Sequence, residues 1–492
     1  MRIPYKTRCL FSFILLYWNG RKKQKRYYNS INNMEQNQET KTERLTNGAL
    51  KPLIIKLAIP SIVSMLISTF YNMADTFFVG QLQNTSATGA VGVVLPVMTL
   101  IQAFGYFFGH GSGNFISRKL GEGHEEHAQF MASTGFFCAV AFSVVLAAAG
   151  LIFRRPLLPV LGATDTIFPY AEQYMSVILF GAPVMVGSIV MNNQMRFQGN
   201  AYYSMFGIAA GGILNIALDP LFIFTFKMGI TGAAVATVVS QAISFIILLI
   251  ALEKSDCIKL RFKRFRFNRS LFLSILRGGT PSLCRQGINS VASACFNAVA
   301  GNYGDPAIAA MSIVTKITGF ASAALIGFGQ GFQPLCGYSY GAKKYRRVYD
   351  AFFFCVKVCF FFLLALSAAA FFLSPQLITL FQKNDPEVIE LGSRMLQAQL
   401  ISFSLMSYVI VSNMMLQTIG MALRASLLAL SRQGLVLIPV LFLLNTLFHL
   451  DGLIWAQTVS DIISLFVAVA VTVRVLRCFA RDRDLHAPAD DL

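Results

Sequence analysis

Three aspartates, Asp75, Asp219 and Asp461, stand inside long apolar runs. An ionisable group in a membrane span costs about 2.5–3.5 kcal/mol on insertion scales, so each is a functional hypothesis by default. Asp75 follows Tyr71 by one helical turn, and Asp219 follows Asn215 by one turn and precedes Pro220. Counted along the apolar runs 52–80 and 203–226, Asp75 lies five and Asp219 seven residues from the same surface. That is roughly 8–11 Å deep at about 1.5 Å per residue. Thr237 enters from that surface too, eight residues into the run 229–252. Two carboxylates, an amide and a hydroxyl at one depth form an oxygen-rich site suited to a proton or to a small hard cation such as Na⁺. Two acids in one low-dielectric pocket cannot both be ionised cheaply, which lets one load and release a proton. The plainer alternative is that Asp75 caps a helix end and Asp219-Pro220 marks a kink.

Asp461 lies mid-run in the second half of the chain. It reads either as a contact for a cationic substrate or as half of a local ion pair with Arg285, Lys316, Arg424 or Arg432. Arg285, Gln286 and Asn413 join it as candidate lining of a substrate cavity, and a subset of the 44 Phe and 18 Met residues could make such a cavity adaptable. Other motifs carry less. Gly109-His110-Gly111-Ser112-Gly113 lacks the spacing of a nucleophile elbow and reads as small residues for close helix packing. His124-Glu125-Glu126-His127 has the wrong spacing for a zinc site and reads as a solvated turn. No Walker A sequence occurs, which excludes ATP hydrolysis by this chain. The nine cysteines form no CxxC pair, and neither a disulfide framework nor a zinc site is expected.

A membrane scaffold must position these residues. Of 492 residues, 55% are apolar and only 13% charged, against about 25% charged in a soluble domain. That balance excludes a disordered chain, a collagen, a soluble nucleic-acid-binding domain and an ordinary cytosolic enzyme, and indicates an all-α polytopic membrane protein. Twelve runs are long enough to span, near 52–80, 91–117, 129–153, 168–196, 203–226, 229–252, 271–301, 307–338, 350–374, 389–417, 422–448 and 452–476.

Lys and Arg collect in alternate connections: Arg118 and Lys119, Lys254 to Arg269, Lys343 to Arg347, and Arg474 to Arg483. Arg154, Arg155, Lys227 and Lys383 are exceptions. The bias places both termini and the 254–270 linker in the cytoplasm, and the inner (plasma) membrane is the expected location. Much of the formal charge of +18 comes from residues 1–33, which hold eight basic residues and no acid. Their apolar stretch 9–18 is too short to span, and the basic run follows it, the reverse of a secretory signal. Translation from Met34 is therefore expected, leaving 1–33 outside the protein.

The halves repeat. Ile59-Pro60-Ser61 returns as Thr280-Pro281-Ser282, an offset of 221 residues. In the same register Gly80 meets Gly301, Asn192 meets Asn413 and Gly199 meets Gly420. After a one-residue gap Phe108-Gly109-His110-Gly111 meets Phe328-Gly329-Gln330-Gly331, Gly121 meets Gly341, and Gln241 meets Asp461. The chain reads as an N-terminal segment 1–49, an N-lobe 50–253, a basic linker 254–270, a C-lobe 271–478 and a tail 479–492. The lobes form two parallel six-helix repeats about an axis along the membrane normal, an architecture with a binding site between halves that rock against each other.

Tyr71-Asn72-Met73-Ala74-Asp75-Thr76-Phe77-Phe78-Val79-Gly80 resembles the first-helix motif of the multidrug and toxic compound extrusion (MATE) family. Ile59-Pro60-Ser61, Asn215-x-x-x-Asp219-Pro220, Gly229-Ile230-Thr231-Gly232-Ala233-Ala234 and Arg196-Phe197-Gln198-Gly199 resemble further motifs of it. The resemblance covers about residues 50–478 and fits the bacterial and archaeal branch whose coupling site lies in the N-lobe. It implies an antiporter exporting organic, often cationic, compounds in exchange for H⁺ or Na⁺, with no other cofactor. The branch's cation network would fall on Asp75, Tyr71, Asn215, Asp219 and Thr237, with Tyr174 and Asn192 of the fourth span. A Na⁺ would sit at Asp75, Asn215, Asp219 and Thr237. The C-lobe acids of another branch are missing, since span 7 has Arg285-Gln286 and span 10 has no interior acid.

The expected protein is a monomeric, twelve-helix antiporter in the lipid bilayer, not an enzyme and not a nucleic-acid binder. A flippase for lipid-linked saccharide shares the two-lobe plan and would favour a cationic cavity, which Arg285, Lys316 and Arg424 keep open. A membrane-embedded enzyme lacks paired catalytic groups here, and a receptor or scaffold would not need two buried acids at matching depth.

Overall fold

The computed structural model describes residues 41–82, 84–382 and 385–481, and the described residues divide into two units, 41–48 and those from Ala49 onward. The expectations for residues 1–33, for Lys383 and for the tail beyond Arg481 lie outside the described residues. In the first unit residues 41–47 are helical, with Thr46 Oγ1 donating to the Thr42 carbonyl at 2.9 Å.

In the second unit every regular element among the described residues is helical, as lipid demands of a backbone that must satisfy its own hydrogen bonds. The first half holds α1 (Leu50–Gly80), α2 (Thr85–Gly121), α3 (Glu125–Val160), α4 (Phe168–Phe197), α5 (Ala201–Pro220) and α6 (Gly229–Lys254). The second half holds α7 (Arg269–Gly301), α8 (Asp305–Gly341), α9 (Tyr345–Phe372), α10 (Ser374–Thr379), α11 (Pro386–Phe403), α12 (Met406–Ile419), α13 (Ala422–Leu430) and α14 (Leu437–Arg481). Polar side chains cap the starts where helices leave loops. Asn84 accepts from Ala87 N at 3.1 Å, and Asp385 accepts from Glu387 N and Val388 N at 3.1 and 3.2 Å.

Several spans are less regular than hydropathy alone suggests. The run 389–417 is two helices, α11 and α12, bent by 55°. The run 203–226 leaves α form after Pro220 for a π turn, Leu221–Thr225, since proline offers no N–H to the ladder. A second π turn, Ser431–Leu435, interrupts the run 422–448. From Ala422 to Arg481 the helical path covers 60 residues, about 90 Å at 1.5 Å per residue and about twice a bilayer with its headgroups. The chain folds back at His449, whose φ is 52°, and Gly452 passes so close to the Leu444 carbonyl that a Cβ would overlap it. Nine described runs are long and apolar enough to cross, ten with α11–α12 taken as one. The 60-residue path crosses twice, and α7, made more polar by Arg277 and Arg285, supplies the remaining span. Twelve crossings result, six in each half.

The two halves are related by a pseudo-twofold axis, visible contact by contact. A Cβ on Gly121 of α2 would strike the Tyr338 backbone of α8, and one on Gly341 of α8 would strike the Arg118 backbone of α2. Gly111 packs on the backbone at Ile275 and Gly279 of α7, and its repeat partner Gly331 packs on the backbone at Ala58 of α1. Pairs of small residues let these helices approach closely at the end that carries the basic connections. Farther along, Phe70 of α1 meets Phe320 of α8 with ring centroids 5.0 Å apart. Beyond that the halves part: a Cβ on Gly80 or Gly287 would meet nothing within 4 Å, and much of α7 from Gly287 to Ala298 is exposed. The cleft between the halves is closed at the basic end and open at the far end.

Candidate functional site

Glycines on α5 set the site's geometry. A Cβ on Gly212 would lie 2.7 Å from Ile67 and 3.1 Å from the Tyr71 ring of α1, and one on Gly211 would lie 2.8 Å from Ser244 of α6. With no side chain there, α1 and α6 close on α5 from two sides. Asn215, one turn farther along α5, donates from Nδ2 to Asp219 Oδ1 at 3.2 Å and to Thr237 Oγ1 of α6 at 3.4 Å. Asp219 is fully buried. Asp75 lies within reach of the Asp219 charge, and the Tyr174 hydroxyl within reach of both acids. Tyr174 donates to Met98 Sδ at 3.7 Å.

Three oxygens in this cluster, Asp75 Oδ1, Asn215 Oδ1 and Asp219 Oδ2, are buried and have no hydrogen-bond partner among the described residues. An unsatisfied buried polar atom costs about 1–3 kcal/mol. A set of such oxygens on facing helices fits a small cation or a transferred proton, which would relieve that cost. Carboxylate, amide and hydroxyl oxygens are hard donors, which suits a small hard cation. Tyr71 also lines an adjoining cavity of about 110 Å³ with Asn72, Gln102, Tyr106 and Gln241.

Asn192 is not part of this cluster. It lies 18 residues after Tyr174 on α4, about 27 Å along the helix, and its Nδ2 donates to the Ser204 carbonyl and hydroxyl at 2.9 and 3.0 Å. Asn413, placed by sequence in a substrate cavity, is likewise buried and donates to the Ala425 carbonyl at 2.6 Å. Asp461 pairs with Arg432 of the second π turn, Nε to Oδ1 at 3.7 Å, and accepts from Gln457 at 2.9 Å and Ser402 at 3.4 Å. Of the two alternatives for Asp461, the local ion pair is the one formed. Arg424 instead approaches Met421 Sδ at 3.8 Å. Arg285 is half-buried on α7, within reach of Tyr106 and Arg432, and Gln286 follows it at similar exposure.

A second polar cluster, which spacing did not reveal, closes the basic end. Arg196 of α4 donates to Gln330 of α8 at 2.5 Å and to Asn193, and approaches His110 at 3.5 Å. His110 is 2.9 Å from Ser282 Oγ of α7, which also accepts from Gln417 of α12 at 2.8 Å. Arg118 donates to the Thr418 carbonyl at 2.6 Å. The one available signal was that His110 and Gln330 are repeat partners, and both meet Arg196.

Residues 60–221 and 281–443 match the MatE family, once in each half. The chain belongs to the MatE family. Its relatives include the protein named Multidrug export protein MepA of Staphylococcus aureus (strain NCTC 8325 / PS 47), 26% identical over 421 residues, covering 85% of this chain and 92% of the relative. The MepA of Staphylococcus haemolyticus (strain JCSC1435) is 26% identical over 419 residues with the same coverage. Among solved structures, a multidrug resistance MATE family transporter of the MOP superfamily in an outward-facing conformation superposes with a TM-score of 0.84 at 24% identity, over 89% of this chain and 98% of that one. A MOP superfamily transporter from Pyrococcus furiosus Vc1 superposes with a TM-score of 0.82 at 25% identity, over the same 89% and 98%. The two MatE segments begin at Pro60 and Pro281, the offset of the sequence repeat. MatE proteins are membrane transporters, not enzymes.

Proposed function

We propose that this chain exports small organic compounds across the plasma membrane by alternating access, in exchange for H⁺ or Na⁺ bound in the N-terminal half. The single observation that carries the coupling site is the set of three unpartnered buried oxygens on Asp75, Asn215 and Asp219, with Thr237 alongside. The multidrug export named for the MepA relatives supports the kind of cargo. The halves 50–253 and 271–478 act as the two rocking lobes of a monomer, the basic end faces the cytoplasm with both termini, and the open cleft faces outward. Loading an ion at Asp75 and Asp219 draws α1, α5 and α6 together around it and changes the charge of the pocket. That biases the equilibrium between the outward-open and inward-open forms, and the gradient supplies the work, about 2.3 kcal/mol for each charge moved through 100 mV.

The test is efflux from proteoliposomes of the full chain, using fluorescent organic compounds of either charge under an imposed pH or Na⁺ gradient. Wild type is expected to move at least one compound against its gradient, and Asp75→Asn and Asp219→Asn to bind it yet lose gradient-driven transport. Transport by both variants at the wild-type rate would overturn the coupling site, and no gradient-driven movement by wild type would overturn the export reading.

A further inference from the structure

Four helices face each other across the open cleft: α1, α2, α7 and α8. Among the acids on them, only Asp75 and Asp305 occur, both near the far ends of their helices. The cations are placed differently. On α8 the stripe Gly331, Gly327 and Phe320 touches α1. Lys316 continues that stripe one turn farther out, where the halves have parted, and is exposed. On α7 the face that meets α2 runs through Gly279 and Ser282, and Arg285 is the next turn along it. Lys316 lies 11 residues and Arg285 16 residues from the far ends of their helices, roughly 16 and 24 Å down at about 1.5 Å per residue.

Neither cation has an ion-pair or hydrogen-bond partner among the described residues. Beneath Arg285 lies Arg196, whose guanidinium is held by neutral groups, Gln330 and Asn193, beside His110. Arg432 is matched by Asp461. The cleft therefore descends from Lys316 to Arg285 to Arg196 with positive charge and no counter-charge among the described residues. Unpaired cations at such depth are costly unless something anionic answers them. Tyr106, within reach of Arg285, also lines the 110 Å³ cavity, where Met185, Ile189 and Ile208 form an apolar strip among polar residues such as Gln102 and Gln241, so an apolar strip adjoins the charged floor.

We propose that the cleft takes an organic anion, an apolar body bearing one carboxylate, sulfonate or phosphate, with Arg285 holding the anionic group and Lys316 drawing it in. The planar guanidinium of Arg285 matches such groups with two parallel hydrogen bonds, whereas the Lys316 ammonium acts as a point charge. The body rests against Tyr106, Met185 and Ile189. This rests on the proposed export and names the charge of its cargo, which the family resemblance alone would make cationic. A free organic acid and an anionic lipid headgroup present the same chemistry.

The probe is dansylglycine, a fluorescent monoanion, with ethidium as the cationic counterpart, bound to the full chain in neutral-lipid nanodiscs without any gradient. Wild type is expected to bind dansylglycine at least tenfold more tightly than ethidium. Arg285→Gln should weaken dansylglycine binding about tenfold or more, with Arg285→Lys recovering part of it, and Lys316→Gln should weaken it two- to threefold and reduce its dependence on salt. Lys343→Gln, an exposed charge at the basic end, controls for net charge. Displacement of dansylglycine by short-chain phosphatidylglycerol in wild type identifies a lipid source, and indifference to it a soluble one; either keeps the anion site. Ethidium binding as tight as dansylglycine, or dansylglycine binding unchanged in Arg285→Gln, overturns the proposal. Because binding is read without transport, a chain that binds the anion but pumps nothing refutes the export reading alone.

Discussion

Asn192 and Asn413, 221 residues apart, make the same hydrogen bond. Each reaches a carbonyl 12 residues ahead, Ser204 for Asn192 and Ala425 for Asn413, across the turn that joins two spans. Each turn contains a glycine with positive φ, 78° at Gly199 and 93° at Gly420, a conformation that glycine adopts without strain. The pair pins α4 to α5 and α12 to α13. Replacing either Asn by Ala removes a buried hydrogen bond between consecutive spans, while the helix still satisfies the carbonyl, and should destabilise the protein by about 0.5–1.5 kcal/mol. Thermal unfolding should show that loss, while ion-coupled transport per folded molecule stays at the wild-type level. A changed coupling ratio in Asn192→Ala would return this residue to the ion site.

Asp219 gives a test in the opposite direction. Its buried Oδ2 has no partner, so Asp219→Asn removes an uncompensated charge and should leave stability equal or higher while abolishing coupled transport. If Na⁺ is the coupling ion, adding it should raise the wild-type melting temperature, since a ligand at 100 times its Kd stabilises the form it binds by about 2.7 kcal/mol. The shift should vanish in Asp219→Asn and shrink in Thr237→Val. A Na⁺-independent melting temperature that responds to pH, and loses that response in Asp219→Asn, would assign the proton instead.

The twelve spans and the acid cluster were legible for one reason. Both follow from counting residues along helices, and depth in a membrane is linear in sequence. Asp75, Asn215, Asp219 and Thr237 were brought together by arithmetic that knew nothing of helix packing. What counting misses is azimuth. Nothing in the local sequence says that Arg196 faces Gln330 in the other half, or that Gly111 faces Ile275. Asn192 entered the ion site only through the family resemblance, and its partner is a carbonyl just past the Gly199 turn. The break between α11 and α12 also escaped the hydropathy pattern, since Ser402 and Ser404 keep the run continuous while the backbone bends.

The Arg432–Asp461 pair predicts a characteristic pattern. Asp461 is 1% and Arg432 21% exposed in their side chains, and breaking a buried pair by removing one partner typically costs about 3–5 kcal/mol. Asp461→Asn and Arg432→Gln should each lower stability by an amount approaching that range. Arg432→Met with Asp461→Leu should recover most of the loss, because well-packed apolar groups can replace a buried pair. Denaturation of the four species gives the coupling directly. Additive losses in the double variant would show that the two charges act apart.

The symmetric contacts at the basic end make the conformational equilibrium itself testable. Gly121 and Gly341 sit where any Cβ would overlap the backbone at Tyr338 and Arg118 respectively, so the closed basic end admits glycine alone at both. Gly341→Val should fold, because its own helix tolerates valine at a cost of well under 1 kcal/mol relative to the best formers, but it cannot complete the closure. The population should move toward the form open at the basic end. Cys336, buried on α8 within reach of Arg118, reports this without an added thiol. Its labelling by an impermeant maleimide, located by mass spectrometry, should rise at least tenfold in Gly341→Val and in Gly121→Val alike. Equal protection of Cys336 in both variants and wild type would mean that these glycines do not govern closure.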